Sequence, residues 1–377
     1  MKIYADNAAT TKLDIDAFEA MKPYLLEDYA NPSSAYGFSK KARCALETAR
    51  RTIAECINAE PEQIIFTSGG TESNNHAIKH FTVSSNICCI VTSAIEHHSV
   101  LYSCENSGFE QFIVPVDRYG IVSVDELNEI LDRYRSVVTS CNSTLVTIMT
   151  ANNEIGTIQP IQELAKVAHY YGAIFHTDAV QAVGHIPIDV KKMNIDMLSA
   201  SAHKFNGPKG VGFLYSRNGL LQPYHHGGSQ EFGIRAGTEN VPAIVGMAVA
   251  LRKNIVEMEQ NIEHLNQLTE LFLTTLRNAN IDFIFNGHST MRLPGNINIS
   301  FKKRSGEGLM HMLDLKGICV STGSACDSVN QQVSHVIKAI KVPDEYNEGT
   351  IRVTFGKENS KQDVLDIANT LIKILRM

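Results

Sequence analysis

The sequence lacks the features that mark membrane, secreted and nucleic-acid-binding proteins. No apolar run in its 377 residues approaches the length that a helix needs to cross a bilayer. The first twenty residues contain acids and no apolar core of the signal-peptide kind. There is no basic tract and the net charge is -6, which argues against a nucleic-acid groove. We therefore expect a cytoplasmic protein that acts on a small molecule.

The eight cysteines form no C-x-x-C pair, which argues against a disulfide framework or a zinc knuckle. Cys88 and Cys89 lie in an apolar run of strand type, and Cys319 lies in GICVS, so we expect all three to fill core positions. Cys326 differs because the surrounding stretch, STGSACDS, is polar and contains glycine. Packing does not explain a cysteine in that context.

Residues 63 to about 216 alternate between short β-rich runs and amphipathic helical stretches. The predicted strands are QIIFTS, ICCIVTS, FEQFIVPV, TLVTIMT, AIFHTDA, DMLSAS and VGFLYS. This alternation predicts an α/β fold with a mostly parallel sheet covered by helices on both faces. Ligands of such sheets bind outside the carboxyl ends of the strands.

The pattern changes after Val241 to one long helical stretch, a few strands and a final helix, KQDVLDIANTLIKIL. The later strands are predicted at IDFIFNG, NINISF, ICVSTG and TIRVTFG. We predict a large α/β domain over residues 16–250, and a smaller α+β domain made of residues 1–15 and 251–377. The smaller domain contains Cys326 and Arg352.

The stretch FTSGGTESNN places two glycines between the end of a strand, at Ser68, and the start of a helix, at Thr71. Free backbone N–H groups at a helix start, with a hydroxyl beside them, can hold an anion. The alternative is a plain glycine turn with a threonine N-cap. The spacing of a nucleotide-binding P-loop is absent. Taken alone, the stretch leaves both interpretations open.

Two further polar residues end predicted strands. Asp178 closes an apolar strand in FHTDAVQAVG, where a buried acid needs a cation or strong donor such as a pyridinium nitrogen. Lys204 follows the next strand in SASAHKFNGPKG, where partial desolvation would free its amine for Schiff-base chemistry. By itself Lys204 is more often a solvated loop lysine. Together with the anion site, the two residues supply partners for the phosphate, ring nitrogen and aldehyde of pyridoxal 5'-phosphate (PLP).

With these motifs the chain resembles the cysteine desulfurases of the NifS and IscS kind, in the class V aminotransferase group of fold-type I PLP enzymes. The resemblance runs nearly end to end. It rests, in chain order, on YADNAATTK, NPSS, FTSGGTESNN, EHHSV, NNEIG, HTDAVQAVG, SAHKFNGPKG, RAGTENV, STGSACDS and IRVTFG. It implies PLP as cofactor and L-cysteine as substrate.

The resemblance implies a role for each cofactor-binding residue. Lys204 would hold PLP covalently, Asp178 would pair with the ring nitrogen, and Gln181 would reach the ring hydroxyl. His97 would stack on the ring and help to move protons. The phosphate would be held by Gly70, Thr71, Ser201 and His203.

The remaining implied roles concern the substrate and the partner subunit. Asn153 would lie near the ring hydroxyl and the substrate carboxylate, and Arg352 would bind that carboxylate through its guanidinium. Thr238 of RAGTEN would complete the phosphate site of a partner subunit, which implies a homodimer. No metal is expected, because His98, His225 and His226 have no carboxylate or cysteine nearby at ligand spacing.

For Cys326 the resemblance implies attack on the substrate sulfur, which leaves L-alanine and an enzyme persulfide. The persulfide would supply sulfur to an acceptor protein, such as an iron–sulfur scaffold or a thiolation enzyme, and could contact an iron–sulfur cluster transiently. The alternative enzymes are a selenocysteine lyase or another class V PLP lyase, and Cys326 favours the desulfurase over them. The alternative of another class is a non-catalytic scaffold or regulator, against which the intact set of Lys204, Asp178, His97 and Arg352 argues.

The chain departs from the family pattern at a few positions. Asp327 follows the cysteine where relatives usually have threonine, and its charge should raise the pKa of the Cys326 thiol. Phe232 stands where arginine is common. The sequence given ends at IKILRM, short of the tail with which relatives dock an iron–sulfur scaffold, so the sulfur acceptor stays open.

Overall fold

The computed structural model describes residues 2–84, 87–135, 143–217, 221–323 and 333–377. Its strands, β1 to β12, are Ile3–Tyr4, Ile64–Thr67, Ile87–Ser93, Glu110–Val114, Ser143–Thr147, Ile174–Asp178, Met197–Ser201, Gly212–Ser216, Phe283–Phe285, Asn296–Phe301, Ile318–Cys319 and Thr350–Thr354. Its α-helices, α1 to α12, are Ile15–Leu26, Lys40–Cys56, Gly70–Ser84, His98–Glu105, Val124–Arg133, Ile161–Tyr170, Val241–Val256, Met258–Asn278, Gly306–Asp314, His335–Ala339, Asp344–Asn347 and Lys361–Leu375. Within these ranges no helix combines the length and the apolar character that a membrane span requires.

The main sheet has seven strands in the order β2-β8-β7-β6-β5-β3-β4. The strands from β7 to β4 pair in parallel, whereas β8 is antiparallel to both of its neighbours, β7 and β2. Only residues 202–211 connect β7 to β8, which is too short for a parallel crossover. The predicted α/β class with a mostly parallel sheet is therefore confirmed, and the one reversal follows from a short connection.

Both faces of this sheet are covered by helices. Ile64 and Phe66 of β2 belong to the larger apolar cluster, which includes residues of α2, α6 and α7. Ile65, between them, belongs to a second cluster with residues of α3 and α4. Because successive side chains of a strand point to opposite faces, all the strand positions of β2 are buried. This explains why the strands of the sheet are recognisable as short apolar runs.

The second sheet is antiparallel, with the order β12-β10-β9, and packs with α8, α9 and α12 in an apolar cluster of its own. β1 pairs in parallel with β11 beside it. The prediction of one long helix after Val241 is wrong, because Val241–Val256 and Met258–Asn278 are separate helices with Glu257 between them. The Glu257 N–H donates to the carbonyl oxygens of Lys253 and Ile255 at the end of the first helix.

Candidate active site

A cavity of about 460 Å³ lies at the carboxyl ends of the central strands. It is lined by residues that follow β2, β3 and β5 and by the last residues of β6 and β7. The structure thus brings together ten of the residues predicted from the sequence: Gly70, Thr71, His97, Asn153, Asp178, Gln181, Ser201, His203, Lys204 and Arg352.

Two further residues were predicted for the site, Thr238 and Cys326. Thr238 is exposed, between the short 3-10 turn Glu231–Gly233 and the helix that begins at Val241. Cys326 lies outside the described residues. Of the cysteines expected to fill the core, Cys89 is buried as predicted, whereas Cys319 is only half-buried.

The predicted anion site is formed by the turn from β2 into α3. Gly69 has φ +147°, a left-handed conformation that favours glycine. A Cβ on Gly70 would lie 2.5 Å from Val180 Cγ2. The backbone at Gly70 can therefore approach Val180 this closely only because glycine has no side chain. The Ser201 side chain is also close, because its Oγ is 3.4 Å from the Cβ position of Gly69. This turn leaves N–H groups at the start of α3 and a serine hydroxyl beside them.

His203 is the remaining side chain predicted for the phosphate, and its Nδ1 lies 3.1 Å from Thr10 Oγ1. Burial, followed by the charges of Lys204 and Lys209, lowers the pKa of His203 to about 4. The imidazole is therefore neutral at pH 7 and has one N–H to donate.

Asp178 ends β6 and is buried. Its Oδ1 accepts a hydrogen bond of 3.0 Å from the Val180 N–H, and its Oδ2 accepts one of 2.7 Å from Asn74 Nδ2 on α3. The carboxylate is thus held on the cavity wall by one donor from its own loop and one from a neighbouring helix.

His97 is the N-cap of α4. Its Nδ1 accepts the Ser99 N–H at 3.1 Å and lies 2.8 Å from Ser99 Oγ. Since Nδ1 is an acceptor, the neutral ring carries its proton on Nε2. Burial is the largest cause that lowers the pKa of His97; Asp178 raises it, while Lys204, His98 and His335 lower it further. His97 therefore presents a neutral imidazole with an Nε2–H group.

Lys204 follows β7 and projects its amine toward the N-terminal segment. Its Nζ donates to the carbonyl oxygens of Ala8 at 2.6 Å and Ala9 at 2.9 Å. Gln181 Nε2 also donates to the Ala8 carbonyl, at 3.0 Å. The segment between β1 and α1 therefore orients both side chains at the cavity.

Arg352 comes from β12 of the smaller sheet and is almost completely buried. Its Nη2 donates to Asp6 Oδ1 at 2.8 Å, and its Nη1 donates to the Asn153 carbonyl at 3.0 Å. Its Nε is buried without a hydrogen-bond partner in the described part of the chain. A buried donor of this kind is costly unless a ligand accepts from it.

Sequence reasoning missed several residues that support the site. Asn74 and Ser99 connect Asp178 to His97, and Asp6 pairs with Arg352. Glu72 receives a two-pronged hydrogen bond from Arg235, at 2.9 and 3.2 Å. Asn74 offered a signal, since it lies three residues after Thr71 on a helix. The Asp6–Arg352 and Glu72–Arg235 pairs are far apart in sequence and offered none.

A buried glutamate lies behind His97. Glu96 Oε1 accepts from Ser93 Oγ at 2.5 Å and from the Met149 N–H at 2.9 Å. Burial raises the pKa of Glu96 to about 8, so the carboxyl is largely protonated at neutral pH. The backbone carbonyl oxygen of Glu96 lies 3.0 Å from His335 Nε2. Glu96 therefore ties the loop of His97 to the loop after β5 and to the helix His335–Ala339.

Residues near both ends of the range 324–332 lie close to Glu154, which is buried. Ser334 Oγ donates to Glu154 Oε2 at 2.7 Å. A Cβ on Gly323 would lie 3.2 Å from the same oxygen. Glu154 directly follows Asn153, which lines the cavity. The stretch that contains Cys326 is therefore joined to the fold next to the cavity at both of its ends.

Comparisons with known proteins agree on the family. The profile of the aminotransferase class-V family matches residues 3–367. A protein named cysteine desulfurase IscS, from Dictyoglomus turgidum, is 49% identical over 384 aligned positions that cover 100% of this chain and 95% of that protein. A solved NifS-like protein superposes with a TM-score of 0.92 at 35% identity, over 100% of both chains. The structure described as SspA in complex with cysteine has a TM-score of 0.81 at 34% identity, over 96% of this chain and 100% of that one.

Proposed function

Because the chain belongs to the aminotransferase class-V family, we propose that it is a PLP-dependent cysteine desulfurase. It converts L-cysteine to L-alanine and transfers the sulfur to Cys326 as a persulfide. The main observation in support is that one cavity is lined by an anion site, Asp178, His97 and Lys204 together. A related structure named as a complex with cysteine supports L-cysteine as the substrate.

The residues of the cavity fit PLP. The turn at Gly69 and Gly70 would hold the phosphate with Thr71, Ser201 and a neutral His203. Asp178 would meet the ring nitrogen, and Lys204 would bind the aldehyde carbon. Gln181 and Asn153 would lie at the ring hydroxyl, and His97 would lie on the ring face.

When bound, PLP supplies an electron sink that stabilises negative charge at the substrate α-carbon. The chain's own residues then orient the substrate and move protons. The Arg352 guanidinium, with its buried Nε–H, would bind the substrate carboxylate next to Asn153. Lys204 Nζ is the amine that takes up and returns a proton, whereas His97 Nδ1 is occupied by the Ser99 N–H. His97 therefore acts as a donor through Nε2.

The sulfur step balances without an external oxidant. The Cys326 thiolate attacks the substrate sulfur, a sulfur–sulfur bond forms, and the bond between the substrate sulfur and its β-carbon breaks. The electron pair of the broken bond remains with the substrate, which takes up a proton and leaves as L-alanine. The enzyme retains the sulfur as a Cys326 persulfide until an acceptor thiol takes it.

The function is tested by incubating the pure protein with PLP, L-cysteine and a thiol reductant, and then measuring alanine and sulfide. We expect the two products in equal amounts. L-selenocysteine assayed in parallel separates the lyase alternative, which would be favoured if only the selenium substrate were consumed. Absence of turnover with both substrates would favour the non-catalytic alternative.

Replacing Arg352 with lysine is expected to raise the KM for L-cysteine about 10-fold to 100-fold. This factor corresponds to the loss of one hydrogen bond to a charged group, which contributes about 1.5–3 kcal/mol. Lysine keeps the charge but cannot reproduce the two-pronged geometry that carboxylates accept. PLP binding should change much less, because Arg352 contacts Asp6 and Asn153 and not the phosphate turn. Steady-state kinetics and PLP titration measure the two effects.

Arg252→Lys is the matched control, since Arg252 is exposed, pairs with Glu55 and does not line the cavity. It should leave both constants unchanged. An unchanged KM in Arg352→Lys would remove Arg352 from the substrate site.

We also propose that two subunits form each active site and that Thr238 contributes to the phosphate site of its partner. Its exposed position outside its own cavity is consistent with that role. The same segment is attached to its own subunit by the Arg235–Glu72 pair and by a buried Arg50–Glu231 pair at 2.6 Å. We propose separately that the chain divides into a large domain, residues 16–250, and a small domain, residues 1–15 and 251–377.

A hybrid dimer tests this arrangement. One subunit carries Lys204→Ala and the other Thr238→Ala, and each has a different affinity tag. If Thr238 serves the partner's site, one site of the hybrid contains both changes and the other contains neither. The hybrid should then have about half the wild-type activity at limiting PLP, from one of its two equivalent sites. Activity no higher than the mean of the two homodimers would place Thr238 in its own subunit's site.

The sulfur acceptor is proposed by class only: an iron–sulfur scaffold or a thiolation enzyme that presents a thiol to the persulfide. A cytoplasmic location belongs to the same proposal, because a nucleophilic thiol and its persulfide persist best where disulfide formation is suppressed.

A further inference from the structure

Asn74 connects two residues of the cavity through one amide nitrogen. It lies on α3 and is almost completely buried. Its Nδ2 donates to Asp178 Oδ2 at 2.7 Å and to Ser99 Oγ at 2.8 Å. The two protons of the amide are thus shared between the strand that ends at Asp178 and the helix that His97 caps.

The orientation of this amide is determined by its neighbours. Its Oδ1 is buried and has no hydrogen-bond partner in the described part of the chain. A flipped amide would direct that oxygen toward the Asp178 carboxylate, which can only accept. The observed orientation therefore leaves one buried acceptor unsatisfied, a cost that the hydrogen bond to Asp178 offsets.

The same amide sets the direction of the hydrogen bonds to His97. Because Asn74 Nδ2 donates to Ser99 Oγ, the hydroxyl proton of Ser99 is available to His97 Nδ1, which is 2.8 Å away. The Ser99 N–H donates to the same nitrogen at 3.1 Å. Both interactions require Nδ1 to be an acceptor and place the imidazole proton on Nε2.

We propose that Asn74 is a positioning residue that holds the Asp178 carboxylate and, through Ser99, the orientation and tautomer of His97. This inference deepens the proposed function and depends on it for its purpose. One side chain would align the acid under the ring nitrogen with the imidazole at the ring face. The contacts involve only residues of the chain, so they can be tested separately from catalysis.

The first test uses apoprotein and the isosteric change Asn74→Asp. The new carboxylate would lie at hydrogen-bond distance from Asp178, so the pair must share a proton in the folded state. The other titratable groups around Asp178 are Glu96 and His97, on the loop after β3, and Lys204, after β7. The folded variant binds more protons than the unfolded chain, so its stability relative to wild type should fall as pH rises from about 4 toward 8.

Asn75→Asp is the matched control, because it adds the same charge on the next residue. Asn75 does not line the cavity, and its amide donates to the Thr71 carbonyl and not to Asp178. Its stability should follow that of wild type over the same pH range. Asn74→Asp combined with Asp178→Asn removes the charge pair and should also remove the pH dependence. Equal pH dependence in Asn74→Asp and Asn75→Asp would overturn the contact between Asn74 and Asp178.

The second test uses Asn74→Ala and Ser99→Ala. We expect the PLP dissociation constant to rise about tenfold in Asn74→Ala, since the carboxylate loses one charge-assisted hydrogen bond. In both variants the pH profile of kcat/KM should shift. Ser99→Ala removes the hydroxyl that contacts His97 Nδ1, and Asn74→Ala removes the amide that orients this hydroxyl. If Asn74→Ala does not fold, the Asn74→Asp series and Ser99→Ala decide.

Wild-type PLP affinity in Asn74→Ala together with unchanged pH profiles in both variants would overturn the positioning role. Failure of the desulfurase proposal would appear differently. The protein would then lack turnover of L-cysteine, while the apoprotein measurements on the Asn74 series would still report the contact.

Discussion

Lys204→Ala is expected to abolish desulfurase activity, with a loss on the order of 10⁴-fold or more, the scale seen when an enzyme loses the residue that forms its covalent intermediate. The yellow colour of the covalently bound cofactor should also disappear. Lys204 Nζ is oriented by the carbonyls of Ala8 and Ala9, and alanine provides no amine at that place. The fold should remain, because the side chain lies at the cavity and not in an apolar cluster.

Borohydride reduction of the wild type, followed by peptide mapping, identifies the labelled lysine directly. Lys191→Ala is a suitable control, because Lys191 is exposed and pairs with Glu60, and it should retain colour and activity. A pyridoxyl label on Lys209, which also lines the cavity, would show that the assignment of Lys204 is wrong.

Cys326→Ser is expected to lower the rate of sulfur release by about 10³-fold or more while leaving PLP and L-cysteine binding intact. A serine hydroxyl stays protonated near neutral pH, whereas a thiol is partly ionised and intrinsically nucleophilic. The spectral change of the bound cofactor on addition of L-cysteine should persist in the variant. Alanine formation, measured under the same conditions, should not.

The buried cysteines of the core are poor nucleophiles. Burial, followed by the charges of Glu96 and Glu105, raises the pKa of the Cys104 thiol to about 12. Burial is also the main cause that raises the pKa of Cys56 to about 11. Neither thiol is a competent nucleophile at pH 7.

The exposed Cys44 provides the matched control. Cys44→Ser should keep full activity. Wild-type protein given one equivalent of L-cysteine without reductant should gain the mass of one sulfur on the peptide that contains Cys326. Extra sulfur on the peptide of Cys44 or Cys319 instead would contradict the assignment and favour the lyase alternative.

The elements of the main sheet could be predicted from the sequence because strands such as β2, β7 and β8 are buried on both faces. A strand such as Ile64–Thr67 is then mostly apolar, with Ile64, Ile65 and Phe66 in sequence, and short apolar runs between helical stretches are easy to recognise. The gathering of Asp178, Ser201 and the turn at Gly69 followed from the same argument. Parallel strands end at one edge of a sheet, so polar residues at successive strand ends meet there.

The long helical stretch after Val241 shows where local pattern failed. Periodicity continues from Val241–Val256 into Met258–Asn278, so the sequence shows no break. The first helix packs with the main sheet and the second with the smaller one. The break at Glu257 lies between helices that belong to two separate cores, and local propensity does not contain that information.

By itself the sequence determined the fold class, the order of the strands along the chain and the residue types that meet at the cavity, because burial and strand ends leave local patterns. Only the tertiary structure decided the partners that orient those residues. Asp178 is held by Asn74, 104 positions away, and Arg352 is held by Asp6, 346 positions away. A hydrogen bond depends on distances of a few tenths of an ångström and on which atom donates. Such contacts arise only after the strands and helices have packed, so no spacing in the sequence reports them.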